Sequence, residues 1–157
     1  MPVMKRVRAM FKRAFKASAA GRFPAARDGA IAIEFAMIAP VFLMIVFGII
    51  MYGSYLSVVH GVQQLAAEAA RSSVAGLNES ERSTLANSYV TGNVNSYPLI
   101  NPARLTVNAA TSGSDANVFV VTVNYDASGM FIYSLPAFVP FPSPTIARSA
   151  AIPRGGY

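Results

Sequence analysis

The feature that most constrains this chain is a gap in its charges. From Phe35 to Ala67 there is no Asp, Glu, Lys or Arg, and Phe35–Met51 is almost wholly apolar. A helix over Phe35–Leu56 would be roughly 33 Å long, matching a hydrocarbon core of about 30 Å. The apolar stretch of a conventional signal sequence is shorter, about 7–15 residues. The sequence therefore predicts one transmembrane helix. Composition points the same way: of 157 residues, 54% are hydrophobic and only 13% are charged, against roughly 25% in soluble domains. That argues against a fully soluble protein and against intrinsic disorder.

The formal charge of +6 would point to nucleic acid if the charges were spread over a surface. They are not. Lys5, Arg6, Arg8, Lys12, Arg13, Lys16, Arg22 and Arg27 all precede the first acid, Asp28, whereas from residue 30 onward five basic residues face six acids. The basicity belongs to a leader, residues 1–29, and no nucleic-acid partner is implied. Phe11 and Phe15 on one face would make a surface-lying amphipathic helix. A solvated leader that fixes topology is the simpler reading, and it places residues 1–29 in the cytoplasm and the chain beyond Leu56 outside.

Beyond the membrane the helix is expected to continue through residues 57–77. Val58, Val62, Leu65 and Ala69 share one face, while His60, Gln64, Glu68 and Arg71 share another, the pattern of an amphipathic helix. The alanines at 66, 67, 69 and 70 favour helix and permit close approach of a neighbour, and Gly76 is the expected stop. Residues 30–77 thus form one helix of roughly 45 residues, about 70 Å long.

Residues 78–157 read as a small exterior α+β domain. Asn78 followed by Glu81 looks like a capping box that opens a short helix over about 79–95. Leu105 and Val107 alternate with Thr106 and Asn108; Phe119, Val121, Val123 and Tyr125 alternate with Val120, Thr122 and Asn124. Both runs predict strands with one buried face, joined by a hairpin turn in Thr111–Asn117. A third strand is expected near Thr145–Ile152. The resulting antiparallel sheet of about three strands needs a cover, and the preceding amphipathic helix is the obvious one. A fragment starting near Arg71 would then fold alone, apart from whatever cover lies before Arg71. Between the last two strands, Pro136, Pro140, Pro142 and Pro144 alternate with Phe131, Tyr133, Phe138 and Phe141. Such a segment is either a docking surface or, more simply, a rigid crossover whose aromatics close the open end of the sheet.

Chemistry is hard to find. Cysteine is absent and His60 is the single histidine, so there is neither a thiolate nor a His-rich metal site. Glu79, Glu81, Arg82, Arg104, Asp115, Asp126, Arg148 and Arg154 are scattered thinly, without a nucleophile–base set or phosphate loop. Asp115 and Asn117 have the residue types of a calcium loop, but turn chemistry accounts for both. No enzyme, cofactor, metal or small-molecule substrate is implied.

The informative motif is Arg27-Asp28-Gly29-Ala30-Ile31-Ala32-Ile33-Glu34-Phe35. A glycine ends the charged leader, an apolar helix begins, and a carboxylate follows five residues later. An acid at the centre of a membrane helix costs about 2.5–3.5 kcal/mol and less near an interface, so Glu34 is either functional or snorkels to the cytoplasmic headgroups. Pro40 removes a backbone hydrogen bond and predicts a kink. It serves either a helix that must bend on packing or is a tolerated membrane proline.

These residues carry a resemblance. Gly29 followed by Glu34 looks like the processing site of type IV prepilins, which implies that a prepilin peptidase cuts between Gly29 and Ala30 and that the new amine is methylated. The run Gly-Ala-Ile-Ala-Ile-Glu-Phe-Ala-Met-Ile-Ala-Pro-Val-Phe-Leu from Gly29 to Leu43 is similar to TadE-like minor pilins (pseudopilins) of tight-adherence pili. Ala66-Ala67-Glu68-Ala69-Ala70-Arg71 is similar to that family's second signature. Together they span roughly residues 24–72. Major pilins of the same system share the Gly–Glu spacing but are far shorter and lack a β-rich exterior domain. Near Gly53 this chain carries Met51 and Ser54 where many relatives have an acid and a base, so charge pairing there does not carry over.

The resemblance implies a minor pseudopilin: a non-catalytic, single-pass subunit of the bacterial inner membrane with its C-terminal domain periplasmic, and possible incorporation in the pilus as a further consequence. Its implied partners are the membrane, the prepilin peptidase, other pilins or pseudopilins and the pilus assembly platform. The residues alone also permit a membrane-tethered binding or sensor module with a passive anchor. Gly29 and Glu34 separate the two, because a passive anchor has no use for either.

Overall fold

A computed structural model describes residues 25–134 and 141–154. Most of the leader, with Phe11 and Phe15, lies outside the described residues, as do Pro136, Phe138 and Pro140 of the crossover. Helix α1 runs over Ala25–Ser73 and α2 over Glu79–Asn93. Strands β1 (Leu105–Thr111), β2 (Val118–Asp126) and β3 (Thr145–Pro153) form one antiparallel sheet in the order β1-β2-β3. The expected α+β class, the long helix and the three strands are all present. Two compact units divide the chain, one ending at Ile45 and one starting at Val46.

In the first unit α1 continues through Pro40 as helix. Its large apolar side chains face outward: Ile31, Ile33, Phe35, Met37, Ile38, Val41, Phe42, Leu43 and Met44 are all exposed. Burial of such side chains contributes about 1.5–3 kcal/mol each, so a helix that leaves them all open is built for a non-aqueous surrounding. Among the described residues, α1 is the one helix long and apolar enough to cross a membrane.

The second unit has a core. Val58, Val62, Leu65, Ala66, Ala69 and Ala70 of α1 are buried, and His60, Gln64 and Arg71 are exposed, as the two helical faces predict. They pack with Phe119, Val121, Val123 and Tyr125 of the central strand, Ala86 and Val90 of α2, and Ile146 of β3. Central β2 alternates buried and half-buried along its length, because its even-numbered residues point away from the helices. Val121 pairs with Ala109 on one side and Ala150 on the other. The small side chains flanking it leave room for α1.

Two expectations about chain stops need correction. The first helix ends at Ser73, three residues before Gly76, and no described glycine has a left-handed backbone. Hydroxyls end it instead: Ser72 Oγ donates to Ala69 O at 2.8 Å and Ser73 Oγ to Ala70 O at 2.7 Å, local bonds that compete with the helix. At the start of α2, Asn78 Oδ1 accepts from Glu81 N at 2.9 Å as predicted, but Glu81 Oε2 accepts from Leu77 N rather than Asn78 N. The helix closes at Asn93 and a 3₁₀ turn covers Val94–Ser96.

The turn from Ser112 to Asn117 is held by Asp115, whose Oδ1 accepts from Asn117 N at 2.8 Å and whose carbonyl accepts from Val118 N at 3.1 Å. This is an Asx turn. At the other end of the sheet, Asp126 caps a 3₁₀ turn by accepting from Ser128 N at 2.9 Å.

Candidate functional site

The residues singled out by the sequence sit on α1. Gly29, Ala30 and Glu34 occupy consecutive turns of regular helix, and all are exposed. A Cβ built on Gly29 meets nothing within 4 Å, and its backbone is not left-handed. Among the described residues, neither packing nor backbone conformation requires glycine there. Glycine inside a helix is about 1 kcal/mol less favourable than alanine, so its presence at this point is an unrepaid local destabilisation.

Glu34 stands among Ile31, Ile33, Phe35, Met37 and Ile38, all more than half exposed. Among the described residues it has no hydrogen-bond or ion-pair partner. The ion pairs there are Arg71–Glu68 at 2.8 Å, Arg104–Asp126 at 3.4 Å and Arg154–Glu79 at 3.8 Å, all beyond the apolar run. A carboxylate on an apolar face wants a charged or hydrogen-bonding partner once water is withdrawn.

The exterior charges that sequence reasoning left scattered are mostly spent on the fold. Glu79 accepts from Thr111 N at 3.2 Å and Thr111 Oγ1 at 2.8 Å. The Thr111 N–H, the Thr111 hydroxyl and Arg154 hold its carboxyl below the usual glutamate value, outweighing slight desolvation. Asp126 is lowered likewise by the hydroxyl and N–H of Ser128, with Arg104 assisting. Arg82 is 9% exposed, its Nε donates to Gly76 O at 3.0 Å, and its Nη1 is buried without a partner. Its long-range burial had no signal in the sequence, where it reads as an ordinary helix-surface arginine.

A tyrosine cluster also escaped the sequence reading. Tyr55 of α1 donates its hydroxyl to Ser143 O at 3.2 Å. Tyr133 donates to Pro142 O at 3.1 Å and Ser143 O at 3.0 Å, and its ring meets Phe141 edge-on at 6.2 Å. Burial, then the neighbouring Tyr55 and Tyr52 phenols, push the Tyr133 pKa up. Where it is described, the crossover is thus tied down, not free.

An outward-facing apolar helix that runs on into a small α+β unit defines a class of protein with an apolar helix and a folded head; among the described residues that helix is consistent with a single-pass membrane anchor. Residues 29–71 match the family model described as TadE-like protein. The resemblance seen in the motifs is borne out over that stretch, which holds Gly29, Glu34, Pro40 and the Ala66–Arg71 signature. The TadE-like family is structural and pilus-associated. Comparison with curated proteins and with solved structures gave no significant match.

Proposed function

We propose that this chain is a minor pseudopilin, a non-catalytic assembly subunit of a Tad-type pilus. In this reading a prepilin peptidase cuts between Gly29 and Ala30. Helix α1 then holds the subunit in the bacterial inner membrane, N-terminus cytoplasmic and α+β head periplasmic, and Glu34 and Pro40 serve packing against other pilins or pseudopilins on the assembly platform.

The observation that carries the proposal is the pairing of Gly29 and Glu34 within the TadE-like stretch. Among the described residues nothing requires glycine at position 29, and the Glu34 carboxylate has no partner on its apolar face. A leader rich in Lys and Arg before the span supports the orientation. A peptidase that reads extended backbone needs a residue that leaves the helix easily, which glycine supplies.

The test is the N-terminal residue of the protein isolated from its native host. Ala30 at the N-terminus is the expected result. An intact leader on membrane-inserted protein would overturn processing and favour a tethered module with a passive anchor.

A further inference from the structure

The described end of the Pro-rich crossover lies beside the outer end of the apolar helix. Within the second unit the outward-facing apolar run of α1 continues through Phe47, Ile49, Ile50 and Leu56, and burial begins at Val58. Tyr55, one residue before that run ends, donates its hydroxyl to Ser143 O, and Tyr133 donates to the same carbonyl. The crossover is therefore fixed at the level where α1 passes from exposed apolar surface to domain core.

Two residues before Tyr133, Phe131 is 66% exposed, although it sits in a 3₁₀ turn whose next residue, Ile132, is buried. From Ala127 to Ala147 the sequence has no Asp, Glu, Lys, Arg or His. Polar groups of this corner are satisfied internally: Tyr55 and Tyr133 hydroxyls by the Pro142 and Ser143 carbonyls, and Pro144 O by Ala127 N at 2.7 Å. Pro142 and Pro144 have no N–H to desolvate. The nearest charges, Arg104 and Asp126, are paired with each other, and a corner of aromatic side chains, internally bonded phenols and one ion pair suits the headgroup region, where aromatic residues collect and polar groups are still hydrated.

The opposite end of the sheet differs. There Glu79, Arg154 and the Ser-rich Ser112–Asn117 turn gather, and Thr111 is bonded to Glu79. Each end of the sheet thus carries one ion pair, Arg104–Asp126 at the crossover end and Arg154–Glu79 at the turn end; the exposed aromatic side chain of Phe131 is at the crossover end.

We infer that the corner formed by Phe131, Tyr133 and Phe141 beside Tyr52 and Tyr55 is a second membrane contact, which seats the head on the lipid headgroup surface and fixes its orientation. The inference rests on α1 being the membrane span. The occupant is lipid because the corner adjoins the apolar helix face: a medium that covers Leu56 and Tyr52 reaches Tyr133, which neighbours Tyr52 and Tyr55, and Phe131 is the exposed aromatic residue two positions before it. With the head seated, its turn end, with Glu79 and Arg154, stays open to other subunits.

The natural sequence has no tryptophan, so a single Trp reports one position. Full-length protein carrying Phe131→Trp, Phe42→Trp or Ser114→Trp is reconstituted into phosphatidylethanolamine–phosphatidylglycerol vesicles whose lipids carry bromine either shallow or deep in the acyl chains. The expected result is blue-shifted Phe131→Trp emission quenched more by shallow than by deep bromine, with Phe42→Trp quenched by deep bromine and Ser114→Trp by neither. Deep quenching at Phe42→Trp with none at Phe131→Trp overturns the inference and leaves the span reading intact. A blue-shifted Phe131→Trp that bromine does not quench overturns it in favour of a protein partner at this corner. Equal quenching at Ser114→Trp also overturns it, because the head would then have no defined seat. Absence of quenching at Phe42→Trp overturns the span reading and the inference with it.

Discussion

Glu79 and Thr111 are 32 residues apart, yet one carboxylate takes both the backbone N–H and the hydroxyl of that threonine, at 3.2 and 2.8 Å. The N–H belongs to an edge strand and would otherwise be open to another chain. The bond thus closes the end of β1 and pins the first turn of α2 to the sheet.

This arrangement gives the fold a pH dependence. The Glu79 carboxyl is held below its ordinary value of 4.5, so the folded state favours the charged form. Its contribution is complete above about 4.5 and is lost as pH falls through the lower folded value. Asp126, held below 3.8 by Ser128, adds in the same direction at still lower pH. Thermal unfolding of the full chain in detergent micelles should show a Tm that falls between pH 5 and pH 3 (about the range of the two ordinary carboxylate values). Glu79→Gln should lower the Tm at neutral pH and make the acid fall shallower.

Gly76 is the position at which glycine is structurally required. An added Cβ would lie 2.7 Å from Arg82 Cγ and 2.7 Å from Arg82 N, and the latter is backbone that cannot swing away. Gly76→Ala should therefore destabilise by about 1–3 kcal/mol, the usual range for overpacking. Gly92→Ala is the control, because a Cβ there meets nothing within 4 Å and the residue lies inside α2. It should leave the Tm unchanged or raise it slightly.

Much of this fold is legible in the sequence for a physical reason. Alternation in Phe119–Tyr125 and the shared face of Val58, Val62, Leu65 and Ala69 are local consequences of strand and helix periodicity, and each is found buried. What was missed depends on long-range partners. Gly76 reads as a helix stop because glycine often is one, but its reason is the approach of Arg82. The Glu79–Thr111 bond joins α2 to the sheet and the Tyr55–Ser143 bond joins α1 to the crossover, contacts that exist only in the folded chain, whereas Arg82 meets Gly76 across the irregular turn between the two helices, which periodicity does not describe. Gly29 and Glu34 were legible for the opposite reason: each is locally unfavourable, and nothing among the described residues explains it.

The head should depend on the membrane-distal half of α1. Val58, Val62, Leu65, Ala66, Ala69 and Ala70 supply one wall of its core, and all precede Arg71. The expectation from sequence that a fragment starting near Arg71 folds alone gives way to this packing: that fragment lacks the wall and should give a disordered circular dichroism spectrum with no cooperative melt. A fragment starting at Ser54 keeps the wall and the Tyr55–Ser143 bond and should melt cooperatively. Cooperative melting of the Arg71 fragment would show that the sheet and α2 suffice.

Gly29→Ala should separate processing from folding. The added methyl meets nothing within 4 Å, and alanine is about 1 kcal/mol more favourable than glycine in a helix. Membrane insertion and the stability of the head should be unchanged. The leader should remain attached in the native host, seen as an intact mass that still includes residues 1–29. Normal processing of the variant would mean that the helix opens at this point without glycine.

Glu34 supplies the sharpest test of assembly. After cleavage at Gly29 the new Ala30 ammonium and the Glu34 carboxylate are four residues, about 6 Å, apart along the axis. Both lie at the edge of a low-dielectric phase, where unpaired charges are costly and opposite charges attract strongly. Within one helix the pair is poorly held, because the terminal residues fray. On the proposed pilin reading, a neighbouring subunit displaced along the axis would bring its own ammonium to this carboxylate, setting register as well as affinity. Glu34→Leu should therefore insert as well as the natural chain or better, since an acid has been removed from an apolar face, yet fail to join partner pilins. Glu34→Asp should be intermediate, because the charge remains and the reach shortens. Membrane fractionation and pilus formation in the host distinguish these outcomes. Full piliation by a stably expressed Glu34→Leu protein would reduce Glu34 to a snorkelling side chain, and a strict loss of piliation with normal insertion would place its partner in another subunit.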